Sequence, residues 1–357
     1  MKQEKIALTA LALLCLLAAC GATPPASDTD SITVTDALGR TVTLPELPQR
    51  IATAGRGVFM LNDALYLFPE VSTRLVALGK ANQEIQAFLT LVDPAIDEKT
   101  LFEVQVSAEQ VAPVQPDMVI LKSYMAETLG QPLETLGIPV VYLELEQPEQ
   151  YGRDLLVLGQ VLGNEPRAQE LASYFQKQLD RVDSALQGLL ESDKPRVLLL
   201  QYSESGGTIE WRIPPAGWIQ TTLTERAGGI PVWKEAAPGG GWTNVNLEQI
   251  AAWNPDWILI IQYAGDPAET VARLQADTQW QGLAATQASR LVAFPKDFVG
   301  WDQPDPRWAL GLTWLTTTLH PQRFSVDMEQ EVIDFYRELY GLDEAMIRSQ
   351  ILARIDW

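Results

Sequence analysis

The sequence predicts an α/β protein of two Rossmann-like lobes with parallel sheets, bridged by one long α-helix. Three observations lead there. The first is an internal repeat: residues 107–121 read SAEQVAPVQPDMVIL and residues 246–260 read NLEQIAAWNPDWILI. Glu109, Gln110, Ala112 and Pro116-Asp117 recur as Glu248, Gln249, Ala251 and Pro255-Asp256 at a constant offset. Each copy opens on a helix N-cap residue, Ser107 or Asn246, runs through a short helix stopped by the proline, and ends in an apolar strand. The second observation is a set of short apolar runs without alternation: Ile51–Ala54, Val140–Leu143, Val197–Leu200 and Leu291–Phe294. Such runs suit strands buried on both faces of a parallel sheet, and the helical segments between them give βαβ units. The third follows Gly163-Asn164-Glu165-Pro166, where Leu171, Phe175, Leu179, Val182, Leu186 and Leu189 recur three or four residues apart. A helix from Pro166 to about Leu190 would be roughly 37 Å long, enough to cross from one lobe to the other.

In chain order, residues 1–19 carry Lys2 and Lys5 and then an apolar run from Ile6 to Ala19. That run is too short for a comfortable transmembrane helix and reads as a signal peptide. It ends in Leu17-Ala18-Ala19-Cys20-Gly21, which resembles a bacterial lipobox and marks Cys20 as the lipidated residue. Residues 20–31 are small, polar and proline-containing, as a flexible tether requires. The N-terminal lobe is expected over 32–162 and the bridging helix over 163–192. The C-terminal lobe, with closing helices such as Glu329–Leu339, is expected over 193–357. No other run approaches membrane-spanning length, so the membrane is met through the lipid anchor only.

Composition excludes several functions. With 357 residues and 46% hydrophobic side chains, the chain is too long for one ordinary domain and can bury large cores. A formal charge of −20 repels phosphate backbones, which argues against nucleic-acid binding. The single histidine, His320, excludes HExxH zinc chemistry and any multi-histidine metal site, and no resident metal or cofactor is expected. Cys15 and Cys20 both fall in the first twenty residues, so no disulfide staples the body.

Further motifs point to a family. Ile32–Pro45 followed by Gln49-Arg50-Ile51-Ala52 resembles the opening of substrate-binding proteins for iron-complex ABC importers, in which a D-x-x-G-R-x-V-x-x-P hairpin leads into the first core strand. The two repeat copies resemble that family's paired lobe segments. Gly228-Gly229 resembles its AGG turn. Trp314-Leu315 and His320-Pro321-Gln322-Arg323-Phe324 resemble its late W-L…Y-P-E-x-F segment, with His320 where tyrosine is usual. The resemblance runs from Ile32 to Tyr340. It implies a monomeric, extracytoplasmic lipoprotein that captures a metal chelate between its lobes and delivers it to an ABC importer permease. Ferric siderophores, haem and corrinoids are the family's chelates, and a subgroup takes molybdate or tungstate. The resemblance also implies one surface glutamate per lobe for permease docking, here Glu98 or Glu103 in the first lobe and Glu235 in the second.

In open parallel sheets, ligands lie beyond the carboxyl ends of the strands, which selects the loops. Arg56 follows the first strand and Tyr124 follows the Pro116-Asp117 strand. Tyr202 and then Trp211 and Arg212 follow Val197–Leu200, and Tyr263 follows Trp257–Ile261. Trp242 precedes the second N-cap, and Trp301 follows Leu291–Phe294. Arg56, Tyr124, Trp211, Arg212, Trp242, Tyr263 and Trp301 are therefore the candidate ligand contacts. Aromatic walls with a few cations suit a large, flat or anionic chelate. Arg307, next to Pro306, is expected to pair with Asp305 or Asp302 as a structural clamp, and His320 to be structural. The chain lacks G-x-S-x-G, a P-loop, G-x-G-x-x-G and any Cys–His pair, so it is not expected to be an enzyme. A molybdate- or tungstate-binding protein of the same fold, a secreted lipoprotein enzyme and a sensory binding module remain the alternatives.

Overall fold

The computed structural model describes residues 31–81 and 84–355, so the signal peptide, Cys20 and most of the tether lie outside the described residues. A two-stranded antiparallel hairpin, β1 (Ile32–Thr35) and β2 (Thr41–Leu44), opens the chain. The first lobe follows as a five-stranded sheet built from β3 (Ile51–Thr53), β4 (Leu75–Gly79), β5 (Thr100–Phe102), β6 (Met118–Lys122) and β7 (Val140–Leu143). Its order is β5-β4-β3-β6-β7 and every pairing is parallel.

The second lobe is a mixed sheet. Its strands are β8 (Arg196–Ser205), β9 (Thr208–Ile213), β10 (Ile230–Pro231), β11 (Thr243–Val245), β12 (Trp257–Ile261) and β13 (Leu291–Ala293). β12 runs parallel to β8 and β13, as expected. The wholly parallel reading is corrected on the other edge of β8. There its first residues pair with β10, and beyond Leu200 the strand continues into an antiparallel hairpin with β9. Gly206 (φ 59°) and Gly207 (φ 80°) make the turn, a conformation that glycine adopts without the steric penalty other residues meet.

The repeat has a physical basis. In both copies the glutamine closes a capping box: Gln110 Oε1 accepts from Ser107 N–H at 2.9 Å, and Gln249 Oε1 accepts from Asn246 N–H at 3.0 Å. Each short helix ends in a left-handed residue, Gln115 (φ 48°) or Asn254 (φ 44°). The aspartate that follows pins the start of its strand to the neighbouring strand. Asp117 Oδ2 accepts from the N–H groups of Gln49 and Arg50, both at 2.9 Å, and Asp256 Oδ2 accepts from Arg196 N–H at 2.8 Å. In return Arg50 donates to the Val114 and Gln115 carbonyls and Arg196 to the Trp253 carbonyl.

Helices of seven residues or more are numbered α1 (Val58–Leu65), α2 (Ile85–Val92), α3 (Pro148–Leu162), α4 (Glu165–Ala185), α5 (Ile219–Arg226), α6 (Leu247–Trp253), α7 (Pro267–Ala276), α8 (Trp308–Leu319) and α9 (Met328–Tyr340). The long helix α4 has 21 residues, about 31 Å. It stops at Ala185 because a turn over Leu186–Leu189, with Gly188 at φ 75°, takes over from there. Asn164 caps its start, accepting from Arg167 N–H at 3.3 Å. The Arg167 guanidinium then reaches both lobes, donating to Leu67 O at 3.0 Å and to Leu339 O at 2.8 Å. Midway along, Phe175 stacks on Trp308 with ring centroids 5.4 Å apart.

The lobes also meet directly at Arg307, just before α8. It is fully buried and pairs with Asp63 of α1 and with Asp297 (2.8 Å) and Asp305 (3.4 Å) of the second lobe. Tyr336 and Tyr340 donate to Asp297 (2.5 Å) and Asp63 (2.6 Å), and the guanidinium lies 4.4 Å from the Phe88 ring centroid. The expected clamp with Asp305 is therefore present but larger, and Asp302 is not part of it. Arg307→Leu would leave three buried carboxylates without their cation. The expected loss is about 3–5 kcal/mol of unfolding free energy, read by urea titration at pH 7; an unchanged midpoint would show that the lobes do not depend on this contact.

Candidate functional site

A cavity of about 690 Å³ opens between the lobes at the carboxyl ends of their strands. On the first-lobe side, β3 ends in the turn Gly55-Arg56-Gly57. Gly55 (φ 88°) and Gly57 (φ 67°) both need positive φ, and a Cβ on Gly57 would sit 2.1 Å from the Tyr124 hydroxyl. That tight fit lets Tyr124, after β6, donate to the Arg56 carbonyl at 3.1 Å, so Arg56 and Tyr124 share one rim of the cavity. Phe59 and Met60 on α1 continue the wall.

Beneath Met60 lies Lys122, fully buried at the end of β6. It donates to the Glu144 carbonyl and pairs with Glu146 at 2.6 Å. Burial pulls the Lys122 ammonium down, while Glu146 and the nearby Asp154 and Glu144 push back towards the charged form. The pair thus neutralises Glu146, a lining residue, and leaves Arg56 as the free cation among the described lining residues.

The second-lobe wall is aromatic. Trp218 stands at the start of α5 and meets Trp242 edge-on, with centroids 5.4 Å apart and planes at 89°; Trp242 in turn meets Tyr263 at 6.1 Å. Two hydrogen bonds cross between the lobes here. Gln147 Nε2 donates to Gly217 O at 2.8 Å, and Tyr151 donates to Pro304 O at 2.9 Å.

Behind Tyr263 sits Asp302, fully buried. Its Oδ2 accepts from the Tyr263 hydroxyl at 2.7 Å and from Gln220 Nε2 at 3.1 Å. Burial pushes the carboxyl up to about 6, although both hydrogen bonds favour the ionised form. Tyr263 is pushed up as well, by burial and by the neighbouring carboxylate, so its proton stays on the phenol at neutral pH.

Of the seven expected ligand contacts, the structure brings Arg56, Tyr124, Trp242 and Tyr263 together around the cavity. Trp211 and Arg212 are corrected from loop to strand: they lie on β9, opposite Tyr202 and Gln201 of β8. Trp211 packs on Tyr202 and Trp280 at 5.3 and 5.0 Å, outside the lining set. Arg212 also stays outside it, though its charge acts on Tyr263. Trp301 is corrected to core: it is fully buried, donates from Nε1 to Asp297 at 3.0 Å, and its carbonyl lies against Gly311 of α8. Sequence reasoning missed Trp218, Phe59, Gln147 and Gln220. Glu98, Glu103 and Glu235 are all exposed, and Glu103 pairs with Lys80. His320 is structural, with its ring nitrogen 3.1 Å from Gly228 O. Among the described residues no cluster of three or more His, Cys, Asp or Glu side chains could hold a metal ion.

A model of the periplasmic binding protein family matches residues 99–298, more than half of the chain. The chain belongs to that family. As a periplasmic binding protein it is a solute-binding protein of the ABC-transporter class, acting outside the cytoplasm. It is similar to the molybdate-binding protein MolA of Haemophilus influenzae, 26% identical over 86% of this chain and 90% of that protein. It is also similar to the Fe(3+) dicitrate-binding periplasmic protein FecB of Escherichia coli, 24% identical over 73% of this chain and 81% of that protein. Its fold matches a periplasmic solute binding protein from Veillonella parvula with a TM-score of 0.74 and 22% identity, over 90% of this chain and 97% of that one.

The Asp302 environment gives a testable pH dependence. The folded protein holds this proton near pH 6, whereas an unfolded aspartate releases it near 3.8. Ionisation is thus harder in the folded state, and stability is lost as pH rises from about 4 to about 6. Asp302→Asn removes that penalty. Its stability relative to the wild type should improve by about 2.5 kcal/mol between pH 4 and pH 8, measured by paired urea titrations. A difference independent of pH would contradict this burial.

Proposed function

We propose that this periplasmic binding protein captures an organic metal chelate, a ferric siderophore or a haem- or corrinoid-type complex, and hands it to the permease of an ABC importer. The observation that carries the reading is the cavity's size and walls. About 690 Å³ lies within the range of sites for drug-sized organic ligands, and Trp218, Trp242, Tyr263, Tyr124 and Phe59 supply broad apolar surface. A bare tetrahedral oxyanion would fill a small part of that space, and it wants a nest of backbone N–H groups rather than indole rings. The sequence likeness to MolA favours molybdate as the second reading, and the likeness to FecB favours an iron complex. The lipobox around Cys20 is in keeping with an anchored receptor that passes its ligand to a membrane partner. Exposed Glu98, Glu103 and Glu235 are the docking residues proposed for that partner.

The reading is tested by tryptophan-fluorescence titration with ferric hydroxamate and catecholate siderophores, haem, cobalamin, molybdate and tungstate, each hit checked by native mass spectrometry. Saturable one-to-one binding of a chelate is expected. Trp218→Ala combined with Trp242→Ala should weaken it at least about tenfold, as the loss of two aromatic walls implies. Binding of molybdate or tungstate alone would replace the chelate by the oxyanion.

A further inference from the structure

The polarity of the second-lobe wall follows from what Asp302 consumes. Tyr263 and Gln220 both line the cavity and both donate to Asp302 Oδ2, and Gln220 Nε2 also donates to the Tyr263 hydroxyl oxygen at 3.5 Å. A phenol has one proton, so with that proton committed Tyr263 offers only lone pairs, one of them already accepting from Gln220 at 3.5 Å and one left for a ligand. The Gln220 amide is oriented by the same contact, because its oxygen cannot face a carboxylate. Gln220 is 3% exposed, and its Oε1 has no protein partner. Among the described residues no ion pair reaches Asp302, so its negative charge behind the wall is met by hydrogen bonds and by no cation. Arg212 acts on Tyr263 instead, and Arg56 belongs to the opposite wall.

We propose that Asp302 sets the ligand specificity of the cleft: by holding Tyr263 and Gln220 as acceptors, it selects a chelate whose periphery carries N–H or O–H donors and rejects anions built only of acceptor oxygens. This rests on the chelate reading of the same cleft and narrows it. The chelate is polarised, with acceptor groups towards Arg56 and donor groups towards Tyr263. At Tyr263 and Gln220 an acceptor-only anion meets lone pairs and a buried carboxylate, a mismatch at those two positions. On this proposal the ligand is donor-bearing and neutral or cationic rather than anionic. Asp302 acts through Tyr263 and Gln220 and is a positioning residue.

Two probes test it. Ferrioxamine B carries amide N–H groups and an ammonium around its ferric hydroxamate centre; a ferric tris-catecholate presents acceptor oxygens and net negative charge. Affinities are measured by isothermal titration for the wild type, Asp302→Asn and Tyr263→Phe. The wild type is expected to prefer ferrioxamine B. Asparagine removes the charge and offers its own N–H to the Tyr263 oxygen, so Asp302→Asn should cut the preference about tenfold or more. Tyr263→Phe, which deletes the acceptor itself, should shift the ratio in the same direction. A merely structural role would weaken both probes in parallel and leave the ratio unchanged, which would overturn this inference while the chelate reading stood. A wild type that binds neither probe, nor any other chelate, would overturn both.

Discussion

One guanidinium organises this molecule. Arg307 is fully buried with three carboxylates, from both lobes, around it. One cation cannot neutralise three anions in a low-dielectric interior, and burial accordingly pushes Asp63 and Asp305 above the usual carboxylate range. The two tyrosines that donate into the cluster, Tyr336 and Tyr340, come from α9, so the last long helix is locked into the same contact. The clasp also has consequences for the cleft. Asp63 lies on α1, the helix that begins beside Arg56 and carries Phe59 and Met60. Asp297, Asp305 and Arg307 frame the loop that carries Asp302, Gln303 and Pro304. Both cavity walls are therefore extensions of elements that Arg307 holds together.

How much of this was legible in sequence depends on how local the determinant is. The repeat could be read because capping boxes, a terminating proline and a strand-initiating aspartate act within a dozen residues. The bridging helix was legible from its apolar spacing, and its early stop at Ala185 was not, because a turn with its own glycine replaces the last helical residues. The hairpin was misjudged through one assumption, that Val197–Leu200 ended its strand. The alternating Thr208–Ile213 run after Gly206-Gly207 was the available signal, since glycine pairs between β-type runs mark hairpins. Recognising β9 would have moved Trp211 to a strand and left Trp218 as the first aromatic residue beyond a strand end. Trp301 could not be placed by any local pattern. Its burial follows from Asp297 and from α8, partners that only the folded chain supplies.

The frame constrains how the cleft can work. Buried apolar residues of both lobes and of α4 form one continuous cluster, and Arg167 ties the helix to Leu67 on one side and Leu339 on the other. A helix held at several points resists bending more than a pair of crossing strands would. Large hinge motion would have to break the Arg307 cluster, leaving charges buried without partners, which favours closure through smaller adjustments such as the Gln147–Gly217 contact.

A frame of this stiffness shifts the problem of selectivity from motion to wall chemistry. Relatives whose names specify molybdate and ferric dicitrate share the chain's general plan at 26% and 24% identity, so the plan does not choose the ligand. Charge does not choose it at long range either. A protein of formal charge −20 repels every anion as it approaches, whatever its structure. What remains is the short-range pattern among the described residues: Arg56 free on one wall, Lys122 already spent on Glu146, and behind the other wall an Asp302 that is hydrogen-bonded but has no cation. An acidic exterior and an acceptor-bearing inner wall act in the same direction. Both favour a ligand that arrives without excess negative charge and leaves the aromatic residues to supply most of the contact.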